Sequence, residues 1–226
     1  MGYLEAPHDS PELEAAKIAC LEAETRKLNL ESERQALEMR SVRHIIHTEE
    51  STAERALRYT FYNPIISVTV MDCMRMLDTW SRREPLKPME IVFNSPGGGV
   101  TDGLALYDFI QDIRKRGHFV TTRCLGLAAS MGAILLQAGD ERVMSENSFM
   151  MIHAPSFYYQ ESSSRSTAEL EDEFNTLKLY QNKGVAILAG RSQLTAEEIE
   201  RRWRKLDWYL TAQQALELGL IDRIDS

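Results

Sequence analysis

The sequence predicts an α/β protein built from repeated βαβ units around a mainly parallel sheet, with a helical extension ahead of it. Three observations carry that reading. Two apolar runs, Met89-Glu90-Ile91-Val92-Phe93 and Phe119-Val120-Thr121-Thr122-Arg123-Cys124-Leu125, each meet a glycine-bearing loop and then a helix-compatible segment. Capping boxes recur in the C-terminal third, at Ser166-x-x-Glu169, Thr195-x-x-Glu198 and Thr211-x-x-Gln214, each opening a helix. The chain has 226 residues, 43% of them hydrophobic, which suffices for one sizeable core with an appendage.

In chain order, residues 1–10 read as a disordered lead. Ser10-Pro11-Glu12-Leu13-Glu14 then marks a helix start: a capping serine, proline at the first position and acids in the first turn. From there to about Arg43 the composition is Ala, Glu, Leu, Lys and Arg without glycine, so one long charged helix is expected. Its sparse apolar positions, among them Leu13, Ile18, Leu21, Leu28, Leu30 and Leu37, keep no single heptad register. That leaves two readings open, a partner-contacting helix and a solvated one. Residues 1–53 are this extension and residues 54–226 the globular domain.

The domain opens with a strand at Arg58-Tyr59-Thr60-Phe61-Tyr62, ended by Asn63-Pro64. A helix from about Ser67 places Val70, Cys73, Met74, Leu77 and Trp80 on one face and closes at Arg82-Arg83-Glu84-Pro85. The run at 89–93 is a short buried strand. After its glycine loop comes a helix capped by Thr101, with Leu106, Phe109, Ile110 and Ile113 turned inward. The run at 119–125 turns at Gly126-Leu127-Ala128-Ala129-Ser130-Met131-Gly132-Ala133 into a helix through Ala138, closed by Gly139. Strands follow at Glu141-Arg142-Val143-Met144 and Phe149-Met150-Met151-Ile152-His153. Residues 154–166 form a polar protruding ribbon, and the next helix runs to about Leu188 and stops at Gly190. Ribbon and helix together, 156–188, are a handle. The helix after Thr195 buries Ile199, Trp203 and Leu206, the helix after Thr211 ends at Gly219, and Asp207-Trp208-Tyr209-Leu210 lies between them.

The balance of charge bounds the function. A formal net charge of -8 with no basic stripe argues against a nucleic-acid-binding face, which needs clustered cations. Cys20, Cys73 and Cys124 are scattered, odd in number and without metal-type spacing, which fits a reducing compartment and no bound metal. No apolar run is long enough to span a bilayer, and Met1 to Glu14 lacks the apolar core of a signal peptide. A soluble cytoplasmic protein, with neither nucleic acid nor membrane as partner, is expected.

Ser130 is the candidate nucleophile. At a helix start its hydroxyl lies beside backbone N–H groups that lack intrahelical partners and can stabilise an oxygen gaining negative charge. The same setting also suits an ordinary N-cap or tight packing. The loop Asn94-Ser95-Pro96-Gly97-Gly98-Gly99 has three readings: a phosphate cradle, disfavoured without a Gly-Lys-Ser/Thr ending or GxGxxG spacing; a tight turn; or backbone donors approaching a substrate carbonyl. The five histidines are His8, His44, His47, His118 and His153. Three lie in the extension and His118 in a helix-to-strand loop, so His153, at a strand's end before Ala154-Pro155, is the best candidate base. Asp207 is either a loop acid or the group that orients His153.

Together these stretches resemble the proteolytic subunit of the Clp protease, a family of self-compartmentalising serine peptidases. The resemblance rests on Asn94-Ser95-Pro96-Gly97-Gly98, Gly126-x-Ala128-Ala129-Ser130-Met131-Gly132-Ala133, Met151-Ile152-His153-x-Pro155 and Asp207-x-x-Leu210-x-Ala212, with Ala215 and Gly219-Leu220-Ile221-Asp222. It spans roughly residues 57–224. It implies the fold shared by Clp peptidases and crotonases, Ser130 as nucleophile, His153 as general base and Asp207 as the residue orienting it. The backbone N–H groups of Gly98 and Met131 then form the oxyanion hole. The resemblance also implies homo-oligomeric rings of six or seven subunits, stacked as two rings through the handle, cutting unfolded proteins or peptides inside. No cofactor is expected on this chain, ATP entering only through a Clp-type AAA+ ATPase partner.

Two departures narrow this. The long charged helix replaces the short axial loops of typical members, which bears on ATPase docking and not on catalysis. The segment after His153 reads Ser156-Phe157-Tyr158-Tyr159 where glycines are common in the family. The combination is similar to divergent Clp-like peptidases of phages and prophages of actinobacteria. Two alternatives remain at this stage: a crotonase-type acyl-CoA enzyme, whose chemistry uses carboxylates, and a ring-forming scaffold subunit whose serine and histidine are out of reach of each other.

Overall fold

The computed structural model describes residues 56–156, 166–203 and 207–225, together with Arg26, Asn29 and Glu33. The chain divides into two compact units, Met1–Thr52 and Ala53–Ser226. In the first, Arg26, Asn29 and Glu33 are helical and exposed; the rest of the expected long helix, with Cys20 and the three histidines of the extension, lies outside the described residues.

The second unit contains β1 (Arg58–Phe61), α1 (Ser67–Arg83), β2 (Met89–Ser95), α2 (Val100–Lys115), β3 (Val120–Ala129), α3 (Met131–Leu136) and β4 (Glu141–Ser145). It continues through β5 (Phe149–Ile152), α4 (Thr167–Gly190), α5 (Ala196–Trp203), β6 (Trp208–Thr211), α6 (Ala212–Glu217) and β7 (Arg223–Asp225). The strands form one sheet in the order β1-β2-β3-β4-β7, with β5 on β3 and β6 on β5. Every pairing is parallel except β5 with β6. The mainly parallel α/β architecture is therefore as the sequence predicts.

The sheet is organised by β3, which changes neighbours along its length. Thr121 to Cys124 pair with β4, and Leu127 to Ala129 pair with β5. Gly126, at φ +92°, stands at the changeover. The buried Ser148 hydroxyl accepts from Gly126 N–H at 2.9 Å and donates to Cys124 C=O at 3.2 Å, filling the gap between the two ladders. On the other edge, the β2 register shifts between Phe93 and Ser95, so that Ser95 meets Ala128. The C-terminal end of β3 is thus displaced toward β5, and the residue at its tip is Ser130.

Apolar positions at helical spacing put Val70, Cys73, Leu77 and Trp80 of α1, and Leu106, Ile110 and Ile113 of α2, into the core. Phe109 is only half-buried there, with the Arg116 guanidinium 5.9 Å from its ring centre. All six residues of α3 are buried. At the far end of α3, the buried Arg142 donates to Gln137 Oε1 at 2.8 Å, to Gly219 C=O at 3.0 Å and to Arg191 C=O, and pairs with Asp222 at 2.6 Å. One cation thereby ties the ends of α3 and α4 to the turn before β7.

All three capping boxes form. Glu169, Glu198 and Gln214 donate their N–H groups to Ser166, Thr195 and Thr211 at 3.3, 3.2 and 3.3 Å. Four expectations are corrected. The cap of α2 is Gly99, not Thr101, because Gly99 C=O already accepts from Gly103 N–H at 3.0 Å. β3 runs on to Ala129 rather than ending at Leu125, because β5 supplies a second partner for its polar backbone. α3 stops at Leu136 with Gln137 as its cap instead of reaching Ala138. Finally, residues 208–211, left as the connection between two helices, are the strand β6, and Arg223–Asp225, to which no element was assigned, is the strand β7. Ribbon residues 157–165 and Leu206 lie outside the described residues. Among the described residues, no helix is long and apolar enough to cross a membrane.

Candidate active site

Strand register assembles the site. Ala129 pairs with Met151, and Ser130 N–H continues the ladder by donating to Met151 C=O at 2.7 Å. His153, two residues beyond Met151, is thereby carried alongside Ser130, and its Nε2 lies 2.7 Å from Ser130 Oγ. On the opposite edge of β5, Ile152 pairs antiparallel with Trp208, so Asp207, one residue before Trp208, faces His153. Its Oδ1 is 3.3 Å from His153 Nδ1. The side chain of His153 is 27% exposed and that of Asp207 53%. A carboxylate facing Nδ1 favours the tautomer with the proton there, which leaves Nε2 bare to accept from the serine hydroxyl.

Ser130 itself is strained. Its φ of 53° and ψ of -118° are rare for a residue with a side chain, and such a conformation costs on the order of 1–3 kcal/mol. The strand must turn sharply there to enter α3, and the turn leaves the hydroxyl at the outer side of the bend.

The glycine loop lies directly against this bend. Ile65 bridges Gly98 in parallel fashion: Ile65 N–H donates to Gly97 C=O at 2.9 Å, and Gly99 N–H donates to Ile65 C=O at 2.7 Å. In a parallel bridge the central residue's own N–H then points away from that partner. Gly98 N–H is consequently free, as is Met131 N–H in the first turn of α3, and neither meets a protein acceptor among the described residues. Only glycine fits the loop. A Cβ on Gly98, at φ +154°, would stand 2.2 Å from Ile65 C=O, and one on Gly97, at φ +95°, 2.7 Å from Ser130 Cβ.

The other candidates fall away for physical reasons. His118 is buried with both ring nitrogens engaged, at 2.9 Å to Lys87 C=O and 3.0 Å to Ser81 Oγ. Burial pushes the Cys124 thiol up to about 12, and burial raises that of Cys73 as well, so both stay protonated and unreactive. No group of three metal-ligating side chains occurs among the described residues. The sequence reading missed the strand that positions Asp207. Its signal was present in the aromatic and β-branched run Trp208-Tyr209-Leu210-Thr211, whose Thr211 was read only as a cap.

With the described thiols inert, the candidate nucleophile at this bend is a serine hydroxyl facing an imidazole, and the class such a pair points to is the serine hydrolase. Comparison with known proteins narrows it. The family model described as Clp protease matches residues 47–226. The chain is 42% identical over 142 residues to ATP-dependent Clp protease proteolytic subunit 3 of Synechococcus sp. (strain CC9902), covering 62% of this chain and 68% of that protein. It is 41% identical over 145 residues to the protein of the same description from Synechococcus sp. (strain CC9605), with the same coverage. Against that of Parasynechococcus marenigrum (strain WH8102) it is 40% identical over 145 residues, again covering 62% and 68%. The chain belongs to the Clp protease family, and it is a Clp-like serine endopeptidase.

Proposed function

We propose that Ser130, His153 and Asp207 act as a catalytic triad that hydrolyses peptide bonds of unfolded proteins or peptides inside an oligomeric ring. The observation that carries this is the 2.7 Å approach of His153 Nε2 to the hydroxyl of a strained serine. The same contact favours this reading over a scaffold subunit whose serine and histidine are out of reach of each other.

In the proposed cycle Ser130 Oγ bonds to the scissile carbonyl carbon while its proton passes to His153 Nε2. The carbonyl oxygen becomes an oxyanion that receives the N–H groups of Gly98 and Met131. As the tetrahedral species collapses, the C–N bond breaks and His153 returns the proton to the departing amine. Water then attacks the acyl-serine by the same route, giving the carboxylic acid and restoring the hydroxyl. Asp207 offsets the positive charge on the imidazolium during both halves. Each oxyanion donor accounts for about 3–4 kcal/mol of transition-state stabilisation.

The ring reading is supported by α4, whose N-terminal half exposes Leu170 and Phe174, while its C-terminal half buries Val185 and Leu188. Leu179 is exposed on the same helix. So much apolar surface is unusual on a helix facing only water. We place a second copy of this chain there, in two stacked rings of six or seven subunits, with a cytoplasmic, phage-type setting and a Clp-type AAA+ ATPase as the outside partner. The test of the triad is labelling with a fluorophosphonate probe. Modification of Ser130 is expected. A folded, assembled sample whose Ser130 stays unmodified, while a control serine peptidase reacts, overturns the reading.

A further inference from the structure

Ser95, the last residue of β2, is polar and yet wholly buried, and it stands directly before the glycine loop. Its hydroxyl is engaged on both sides. Oγ donates to Asn63 C=O at 2.7 Å and accepts from Gly97 N–H at 3.2 Å. A hydroxyl has one proton to give and Gly97 N–H can only donate, so the two partners fix the direction in which the hydroxyl points.

Gly97, Gly98 and Gly99 have no side chains with which to pack, and glycine has more backbone freedom than any other residue. Hydrogen bonds must hold the loop instead. Gly97 is held at both ends, its N–H by Ser95 Oγ and its C=O by Ile65 N–H at 2.9 Å. These bonds fix the peptide planes before and after Gly97, and with them its φ of +95°. The second plane is the one that bears on catalysis. In a planar trans peptide the C=O and the following N–H point in opposite directions, so Gly97 C=O turned toward Ile65 leaves Gly98 N–H turned away from it. Asn63 lies two residues before Ile65, so the same hydroxyl also ties the loop to the turn that supplies its other anchor. Unlike the bonds to Ile65, which run from backbone to backbone, this one ends on a side chain and can be removed by substitution.

Given the triad reading above, on which this rests, we propose that Ser95 is a positioning residue for the oxyanion site: its buried hydroxyl clamps Gly97 N–H and Asn63 C=O together and so aims the Gly98 N–H. Ser95 touches no reacting atom. Without the clamp Gly98 keeps its N–H, but the plane before Gly97 is released and the donor is held by one support fewer. The loss falls on the transition state, where the oxyanion exists, and not on substrate binding.

The test compares Ser95→Cys, which fills much the same space with a weaker hydrogen-bonding group, and Ser95→Ala, which removes the group altogether. Thr122→Val is the control. Thr122 is also buried and its hydroxyl donates to Leu136 C=O at 2.6 Å, but it pairs with Ile91 and Arg142 and not with the loop. Fluorophosphonate labelling run to completion counts the competent Ser130 sites, and kcat on a fluorogenic peptide is expressed per labelled site. Both Ser95 variants are expected to lose about 10–100-fold in kcat, with KM within about 2-fold of wild type. A peptide boronate, whose tetrahedral adduct places an oxygen in the same site, should bind them more weakly by a similar factor. Thr122→Val is expected to melt lower and to keep its kcat per labelled site. Wild-type kcat in either folded Ser95 variant, an equal loss in Thr122→Val, or boronate affinity that does not fall with kcat overturns the assignment. Should Ser95→Ala fail to fold, Ser95→Cys decides alone. A wild type that labels and hydrolyses leaves the triad standing whatever the Ser95 variants do, whereas a wild type that does neither defeats the triad and this role with it.

Discussion

Trp208 pairs with Ile152 where β6 runs antiparallel to β5, and this pairing holds Asp207 3.3 Å from His153. The indole of Trp208 is held in turn by the Arg202 guanidinium, 5.0 Å from its ring centre. In the proposed triad Asp207 acts on the serine only through His153. Asp207→Asn is expected to lower kcat by about 10²–10⁴-fold, with little change in KM or thermal stability, because a half-exposed carboxylate contributes little to the core. Equal kcat in variant and wild type across a series of peptides would remove Asp207 from the mechanism.

The backbone of Ser130 gives a stability test that catalysis does not touch. At an ordinary position glycine destabilises relative to alanine by about 0.4–1 kcal/mol through the unfolded chain. At φ 53° alanine carries strain that glycine avoids, on the order of 1–3 kcal/mol. Both variants are expected to be inactive, and Ser130→Gly to melt at or above Ser130→Ala. An alanine variant that melts several degrees higher would show that the bend is unstrained.

Gly98→Ala should be damaging twice over. Its Cβ would fall 2.2 Å from Ile65 C=O, so the loop must move and take the Gly98 N–H with it. Loss of an aligned donor corresponds to about 10²–10³-fold in kcat. Peptide hydrolysis should fall by that factor while far-ultraviolet circular dichroism of the folded variant stays that of the wild type. Full activity would exclude Gly98 as an oxyanion donor.

The acid limb of stability can be tested at Asp222. Burial acts to raise its carboxyl, but hydrogen bonds from the Arg142 side chain and backbone N–H outweigh this, and the group titrates below the usual aspartate value. A depressed value means that the stabilisation is fully present above the unfolded-state pKa of about 3.9 and is lost as pH falls through the folded value. Denaturant midpoints of wild type and Asp222→Asn should therefore differ by a constant amount from pH 7 to 5 and converge below about pH 4. A gap that widens in acid would reverse the sign of this coupling.

The exposed face of α4 makes a prediction about mass. Leu170 is 52% and Phe174 64% exposed. Leu170→Glu with Phe174→Glu should halve the sedimenting particle, from two rings to one, while each protomer keeps its fold. A double variant with wild-type mass would show that this helix face is not the contact between rings.

Much of this was readable in one dimension. The apolar runs at 89–93 and 119–125, the three capping boxes and the small residues around Ser130 depend on side-chain chemistry within a few residues of one another, so the βαβ class, the three boxed helix starts and the candidate nucleophile were visible in the sequence. His153 could be nominated by elimination, and the buried, doubly bonded ring of His118 agrees with that choice. The approach of Asp207 to His153 and the free N–H of Gly98 depend instead on which strands pair and in what register, over separations of tens of residues. A single residue of slip between β5 and β6 would place Asp207 on the opposite face from His153. That choice is made only by the packed sheet, where the buried Met150, Ile152 and Leu210 leave one register that keeps their side chains out of water.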